Sequence, residues 1–379
     1  MSDFVFPPSF FWGSATSSHQ VEGNNDKNDW WAWEQAGRVP EPSGIACDQY
    51  RRYRDDFTLA QQLNHTAHRF SIEWSRVEPR DGEIDAQAIA HYQDVVRALR
   101  ERNIEPIVTL HHFANPIWLA EQGGWANPAV VERFMRYSRV MAEALGDQVR
   151  YWVTINEPMV YMVMHYLDGI GPPGERSVER AFLVMEHLVR AHAASYHAIH
   201  QAAAAAGRNV KVSVAMHLQQ FIPCHRWSPL DRLAARLTED IYNFRFLDAV
   251  MEGCLRVPGR RPVPVPNAHE TLDFIGVHYY GRAFMRWGRG SAGRWSGVRC
   301  GTEHHGEVTE RNFLSWDVYP RGLYEVLHWA KRYGRPLFVT ENGICTQHDE
   351  QREASIVNHV RWVARAMQEG VPVLGYLYW

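Results

Sequence analysis

Cysteine is scarce: Cys47, Cys224, Cys254, Cys300 and Cys345 are the only five in 379 residues. Odd in number and widely separated, they form no CxxC metal clip and no disulfide framework, so they read as buried thiols. No basic block of five or more residues occurs, and 40 Lys and Arg stand against 43 Asp and Glu, a net charge of −3. Nucleic acid is therefore not an expected partner, because phosphate binding lacks its electrostatic footprint. The longest apolar runs fall well short of the roughly 18 residues that span a bilayer. The N-terminal MSDFVFPPSF also lacks a charged start followed by an apolar stretch. The expectation is a cytoplasmic protein with no membrane partner. No G-x-G-x-x-G follows a candidate strand, which removes the main support for a dinucleotide cofactor. No low-complexity linker or internal repeat appears, and nothing indicates an oligomeric state.

What the chain has is core-forming and aromatic. Hydrophobic residues make 45% and charged residues 22%, which suits a globular fold and not disorder. Fifteen tryptophans, sixteen tyrosines, sixteen phenylalanines and twenty histidines fit a deep pocket for a polyhydroxylated or flat ligand, and equally an ordinary large core. Short β-rich runs at 11–16, 67–72, 106–110, 151–156, 210–217, 273–280, 336–342 and 371–379 alternate with helical patterns, among them 48–63, 86–102, 128–145 and the Ala-rich 178–206. This alternation predicts an α/β fold, a (β/α)8 TIM barrel, with residues 1–379 as one catalytic domain. The Pro- and Arg-rich 256–266 reads as a surface loop, and 286–305 as another loop over the barrel mouth. The eighth strand ends the chain, so the expected barrel lacks its last helix and the chain reads as truncated.

Catalytic groups of such a barrel sit at the C-terminal ends of its strands. Strand four finishes with Thr154-Ile155-Asn156-Glu157-Pro158 and strand seven with Val339-Thr340-Glu341-Asn342-Gly343. Two glutamates facing each other across one pocket are what glycosidic bond cleavage needs, one to protonate the leaving oxygen and one to attack the anomeric carbon. Taken alone, the pair reads more readily as two surface glutamates near helix starts, because a single Glu after a strand is common.

The neighbouring motifs narrow the choice. Phe11-Trp12-Gly13-Ser14-Ala15-Thr16, Gln20-Val21-Glu22-Gly23, Arg69-Phe70-Ser71-Ile72-Glu73-Trp74-Ser75-Arg76, His111-His112-Phe113, Gly123-Gly124-Trp125, Asn156-Glu157-Pro158 and Thr340-Glu341-Asn342-Gly343 occur in one order. With these motifs the sequence resembles glycoside hydrolase family 1, the β-glucosidase and β-galactosidase family, over essentially its whole length. The resemblance implies a retaining β-glycosidase acting on short β-glucosides or related β-glycosides, by hydrolysis or by transfer of the sugar to another alcohol. It implies no cofactor and no metal. Glu157 is then the acid/base and Glu341 the nucleophile, with Arg69 beside Glu341 as the cation that lowers its pKa. By similarity Gln20, His112 and Asn156 bind sugar hydroxyls, Tyr280 holds the nucleophile, Trp379 ends strand eight under the sugar, and Trp316 lines the leaving-group side. His111 is expected in packing, and Trp125 and Trp152 in the core.

Two departures from the family pattern matter. His278-Tyr279-Tyr280 stands where the family usually has Asn-Tyr-Tyr, which puts a titrating ring in place of a small amide and leaves positioning near Tyr280 open. The family's stretch after the strand-eight tryptophan, which carries a glutamate and a second tryptophan for the far sugar hydroxyls, does not follow Trp379. Glucose, galactose, fucose and a 6-phosphosugar therefore stay open. A truncated, weakly active or inactive sugar-binding barrel is the competing reading. A metal-dependent barrel hydrolase is disfavoured, because adjacent strand histidines such as His111-His112 face opposite ways.

Overall fold

A computed structural model describes residues 4–379, the side chain of Trp295 excepted. Residues 1–3 of the N-terminal stretch lie outside it. Eight parallel strands close into a barrel in sequence order. They are β1 (Phe11–Ala15), β2 (Ala67–Ser71), β3 (Glu105–His111), β4 (Tyr151–Asn156), β5 (Lys211–His217), β6 (Ile275–Tyr279), β7 (Leu337–Asn342) and β8 (Val373–Tyr378). Closure comes from β8 against β1, where Phe11 pairs with Gly375 and Ser14 with Tyr378. All eight expected strands occur within a few residues of their predicted bounds. Gly13 is required by closure: a Cβ there would lie 1.7 Å from the carbonyl oxygen of Ala67 on β2.

Helices cover the barrel as their periodicity predicts. Gln49–Gln62, Ala86–Arg100, Val130–Leu145 and the 28-residue Val178–Ala205 match the four expected helical stretches. Asp85 caps Ala86–Arg100 by accepting from the backbone of Gln87 and Ala88, and Ser177 caps Val178–Ala205 by accepting from Arg180. No helix among the described residues is long and apolar enough to cross a membrane.

The barrel interior is layered. Phe11, Tyr151, Phe274 and Phe338 form an aromatic floor, Phe11 stacking on Phe338 at 5.7 Å, and Ala15, Ala67, Ile107, Val153, Ala215 and Leu377 fill the space around them. Burial of such rings at about 25 cal/mol per Å² excludes water from beneath the polar layer that follows. Trp125 and Trp152 are wholly buried, as expected of core residues.

Two expectations need correction, and a third holds. Residues 286–305 are not an irregular loop: most of them belong to an antiparallel hairpin of Ala283–Arg289 and Trp295–Cys300, which also pairs with Phe221–Pro223 after β5. Dense Gly and Arg hid the pattern, but Ala283, Phe284 and Met285 are buried, and the glycines serve the turn, where Gly290 N–H donates to the carbonyl of Arg294 at 2.9 Å. Residues 256–266 are a loop, closed at its base by a two-residue ladder of Cys254–Leu255 with Val263–Pro264. The cysteines are not all buried thiols: Cys224 and Cys300 form a disulfide across 76 residues, and Cys47 and Cys345 are exposed. The pairing of the hairpin with Phe221–Pro223 brings the two thiols together, a contact that linear spacing cannot reveal.

Denatured without reductant and treated with iodoacetamide, the chain is expected to take up label on Cys47, Cys254 and Cys345 alone, with all five cysteines labelled after reduction. Peptide mass mapping reads this directly, and label on Cys224 or Cys300 in the unreduced sample would contradict the bridge.

Candidate active site

The site is built around one buried cation. Arg69 on β2 is fully buried at the barrel axis. Its Nε donates to Thr109 Oγ1 on β3 at 2.9 Å, its second amino group to Asn156 Oδ1 on β4 at 2.6 Å, and its first to Glu341 Oε1 on β7 at 2.5 Å. That first amino group also lies 3.3 Å from His278 Nε2 on β6. A guanidinium only donates, so four strands supply acceptors to one rigid fork.

Backbone irregularities aim the two glutamates inward. On β7 Phe338 belongs to the barrel floor, so strict alternation would turn Glu341 outward. The register of β7 shifts between Val339 and Glu341 against β6, and this bulge returns Glu341 to the axis. On β4 a register shift lies between Val153 and Asn156, and Glu157 has a left-handed backbone at φ 43° and ψ 59°. Asn156 and Glu157, consecutive in sequence, thereby both reach the centre. Pro158 then opens a short helix, and Glu157 N–H is anchored on the carbonyl of Ala215 at 2.7 Å. Such a backbone costs about 1–3 kcal/mol and persists where surrounding contacts enforce it.

An oxygen of Glu157 and an oxygen of Glu341 lie within 4.8 Å of each other. Tyr280 donates to Glu341 Oε2 at 2.7 Å. Burial pushes the Glu157 carboxyl well above its ordinary value, and the Glu341 charge pushes it further. Burial also raises Glu341, while Arg69 and the Tyr280 hydroxyl pull it back. Arg69 thus acts on Glu341 in the expected direction, lowering it, but desolvation outweighs the cation. Glu341, held by Arg69 and Tyr280, is the carboxyl that ionises first, and its charge keeps the proton on Glu157.

Of the expected site residues, the structure joins Arg69, His112, Asn156, Glu157, Tyr280, Glu341 and Trp379. His112 Nε2 meets Asn156 Nδ2 at 3.3 Å, and its ring stacks on Trp379 with centroids 5.4 Å apart. Trp379 N–H donates to the carbonyl of Asn342, and a Cβ on Gly343 would lie 2.5 Å from Trp379 O. The glycine after Asn342 therefore lets the end of β8 approach. Gln20 and Trp316 stand apart: Gln20 is exposed after β1 and accepts from Ser17, and Trp316 is 43% exposed on the loop following the hairpin. Among the described residues neither bonds to the carboxylate cluster.

Other motif residues buttress the site. Glu73 accepts from Ser18 and Ser75, at 3.0 and 2.7 Å, and Glu22 accepts from Arg76 and Tyr92, tying the segment after β1 to β2. His111 packs against Trp125, Phe134 and Tyr161, and its Nε2 meets Asn115 Oδ1 at 3.0 Å.

Sequence reasoning left His278 out of the site. It is fully buried, with Nδ1 2.8 Å from Glu157 Oε1 and 3.4 Å from Glu341 Oε2. The available signal was its spacing: His278 stands two residues before Tyr280 in the strand expected over 273–280, where alternation puts both on one face. Glu157, His278 and Glu341 together could be read as metal ligands. Burial and the Arg69 charge hold the imidazole neutral, well below its ordinary pKa. Arg69 donates to Nε2, so Nδ1 carries the proton and has no lone pair for a cation between the carboxylates.

A closed (β/α)8 barrel with two buried carboxylates at the C-terminal ends of β4 and β7 defines a glycoside hydrolase. Glycosyl hydrolase family 1 matches residues 2–379. A 1,4-beta-D-glucan glucohydrolase of Thermotoga neapolitana is 30% identical over 409 residues, 99% of this chain and 92% of that protein. The structure of a beta-glycosidase from Pyrococcus horikoshii superposes with a TM-score of 0.91 at 38% identity, over 99% of this chain and 85% of that one. A Thermotoga maritima beta-glucosidase in complex with glucoimidazole gives 0.89 at 28% identity, over 100% and 89%. The chain belongs to glycosyl hydrolase family 1.

Replacing Arg69 by Lys keeps a charge but loses the fork that holds Thr109, Asn156 and Glu341 together. R69K is expected to lower kcat/KM for an aryl glycoside by about a hundredfold, and R69M to destabilise the fold by about 3–5 kcal/mol by stranding Glu341. Steady-state kinetics and denaturant melts test this, and wild-type values for both variants would remove Arg69 from its central position.

Proposed function

We propose that this family 1 hydrolase is a retaining β-glycosidase, cleaving β-glucosides or related short β-glycosides by double displacement, with residues 1–379 as one catalytic domain. The observation that carries the mechanism is the approach of the Glu157 and Glu341 carboxyls to within 4.8 Å. Retaining pairs lie about 5–5.5 Å apart, and inverting pairs about 6.5–9.5 Å to admit a water. Pairing of β8 with β1 supports reading the chain as one unit.

In the first step a Glu341 oxygen attacks the anomeric carbon as its bond to the aglycone oxygen breaks, and the Glu157 proton passes to that oxygen, releasing an alcohol. Esterified, Glu341 no longer carries charge, so the Coulomb contribution that raises Glu157 disappears. The Glu157 carboxylate then takes a proton from water, or from an acceptor alcohol, which attacks the same carbon and frees Glu341. Arg69 and Tyr280 support Glu341 as the anion before attack and as the leaving group afterwards. His112, Asn156 and Trp379 form the adjoining wall for the sugar. Gln20 and Trp316 are assigned to sugar and aglycone binding by resemblance alone. The glucan glucohydrolase and beta-glucosidase named among the relatives favour glucose as the sugar.

Incubation with a 2-deoxy-2-fluoro-β-glucoside bearing a good leaving group is expected to add one fluoroglucosyl mass, mapped to Glu341, and E341G is expected to lose turnover. A label on another residue, or full activity in E341G, would refute the assignment.

A further inference from the structure

We propose that His278 is a positioning residue for the acid/base: as a neutral imidazole held by Arg69, it donates Nδ1–H to Glu157 and so decides which Glu157 oxygen carries the catalytic proton. The inference rests on the assignment of Glu157 as the acid. Three contacts carry it. Arg69 reaches His278 Nε2 at 3.3 Å and only donates, so Nε2 accepts. The ring proton therefore sits on Nδ1, 2.8 Å from Glu157 Oε1 and within a longer 3.4 Å of Glu341 Oε2. With Oε1 accepting, the acid proton occupies Oε2, the oxygen left for the aglycone.

The bond does more than orient. When Glu157 gives up its proton, charge develops on a carboxylate that already accepts from His278, and such a charge-assisted bond is roughly twice as strong as its neutral counterpart. His278 therefore makes Glu157 a stronger acid than burial alone would allow. The charged and titratable groups facing this pair are Arg69 from β2, His112 from β3, His217 from β5, Tyr280 after β6 and Glu341 from β7. Tyr242 also faces Glu157 and meets His217 Nδ1 at 2.8 Å. The charge of Arg69 and the burial that His278 shares with His112 and His217 oppose a second proton on its ring, so it stays a donor through Nδ1 alone.

The test compares H278L, which has no donor, with H278N, whose amide nitrogen stands near the place of Nδ1. Profiles of kcat/KM against pH are taken with phenyl β-glucoside, which needs acid assistance, and with 2,4-dinitrophenyl β-glucoside, which hardly does. A donor favours the ionised carboxyl, so its loss raises the Glu157 pKa. H278L is expected to move the alkaline limb up by about one pH unit and to lose about 10–100-fold on the phenyl substrate, with only a few-fold loss on the dinitrophenyl one. H278N is expected to return the limb to its wild-type position and to recover most of the phenyl activity. Labelling of Glu341 by the fluoroglucoside counts folded sites in each variant. An unmoved limb in H278L, equal losses on both substrates, or an H278N no better than H278L would overturn the inference. E157Q separates the two assignments: if the wild-type alkaline limb survives in it, the failure belongs to Glu157 as the acid, and if the limb vanishes there but ignores His278, only the present inference falls.

Discussion

The buried guanidinium of Arg69 is the constraint on which the site depends. An uncompensated cation at the axis of a barrel would cost several kcal/mol, so the strands around it must supply acceptors in fixed directions. Thr109, Asn156, His278 and Glu341 do so from four different strands. The same geometry settles the charge balance. Two carboxyls and one guanidinium share the buried space, and a neutral total is reached when one carboxyl keeps its proton. Arg69 contacts Glu341 and not Glu157, so the proton belongs on Glu157. The asymmetry of roles between two chemically identical side chains thus follows from which of them the cation touches.

Holding this arrangement requires dry surroundings and local departures from regular strand geometry. The aromatic floor of Phe11, Tyr151, Phe274 and Phe338 closes the barrel from below. Above it, the bulges of β4 and β7 and the left-handed Glu157 turn consecutive or out-of-phase residues toward one point. Asn342 keeps the neighbouring strands in step: its amide donates to the carbonyl of Tyr279 and its oxygen accepts from Tyr376, each at 2.6 Å. Carboxyls that burial destabilises as anions are thereby held close together, which folding energy elsewhere in the barrel must offset.

Period and length made the barrel legible. The runs from 67 to 72 and from 151 to 156 are short, β-rich and followed by helical patterns, and they became β2 and β4 almost unchanged. The two glutamates were legible because they follow strands, and the resemblance supplied their partners. Other features were closed to that reading. Alternation from Phe338 gives the wrong face for Glu341, because a bulge leaves no mark in the sequence. The Cys224–Cys300 bridge depends on a hairpin lying along a strand 60 residues earlier, as Phe284 against Ile222 shows, and no local pattern encodes that pairing. Gln20 and Trp316 had motif support only, and both lie outside the hydrogen-bonded cluster. For Glu341, the neighbouring cation could be read from the sequence, whereas the depth of burial that outweighs it could not.

His278 shows how a departure from a family pattern can be absorbed. An asparagine there offers polar atoms at one distance from the backbone, so it can serve the carboxyls or the guanidinium. An imidazole carries nitrogens at two distances on opposite edges of one rigid ring, and here it spans from Arg69 to Glu157. Rigidity makes the two contacts interdependent, since donation from Arg69 leaves Nδ1 as the only place for the proton. Information about the nucleophile's cation is thus passed to the acid through a group that carries no charge. A flexible amide at the same position would have to choose its orientation anew as charge moves between Glu157 and Glu341. The ring has already made that choice before the sugar binds.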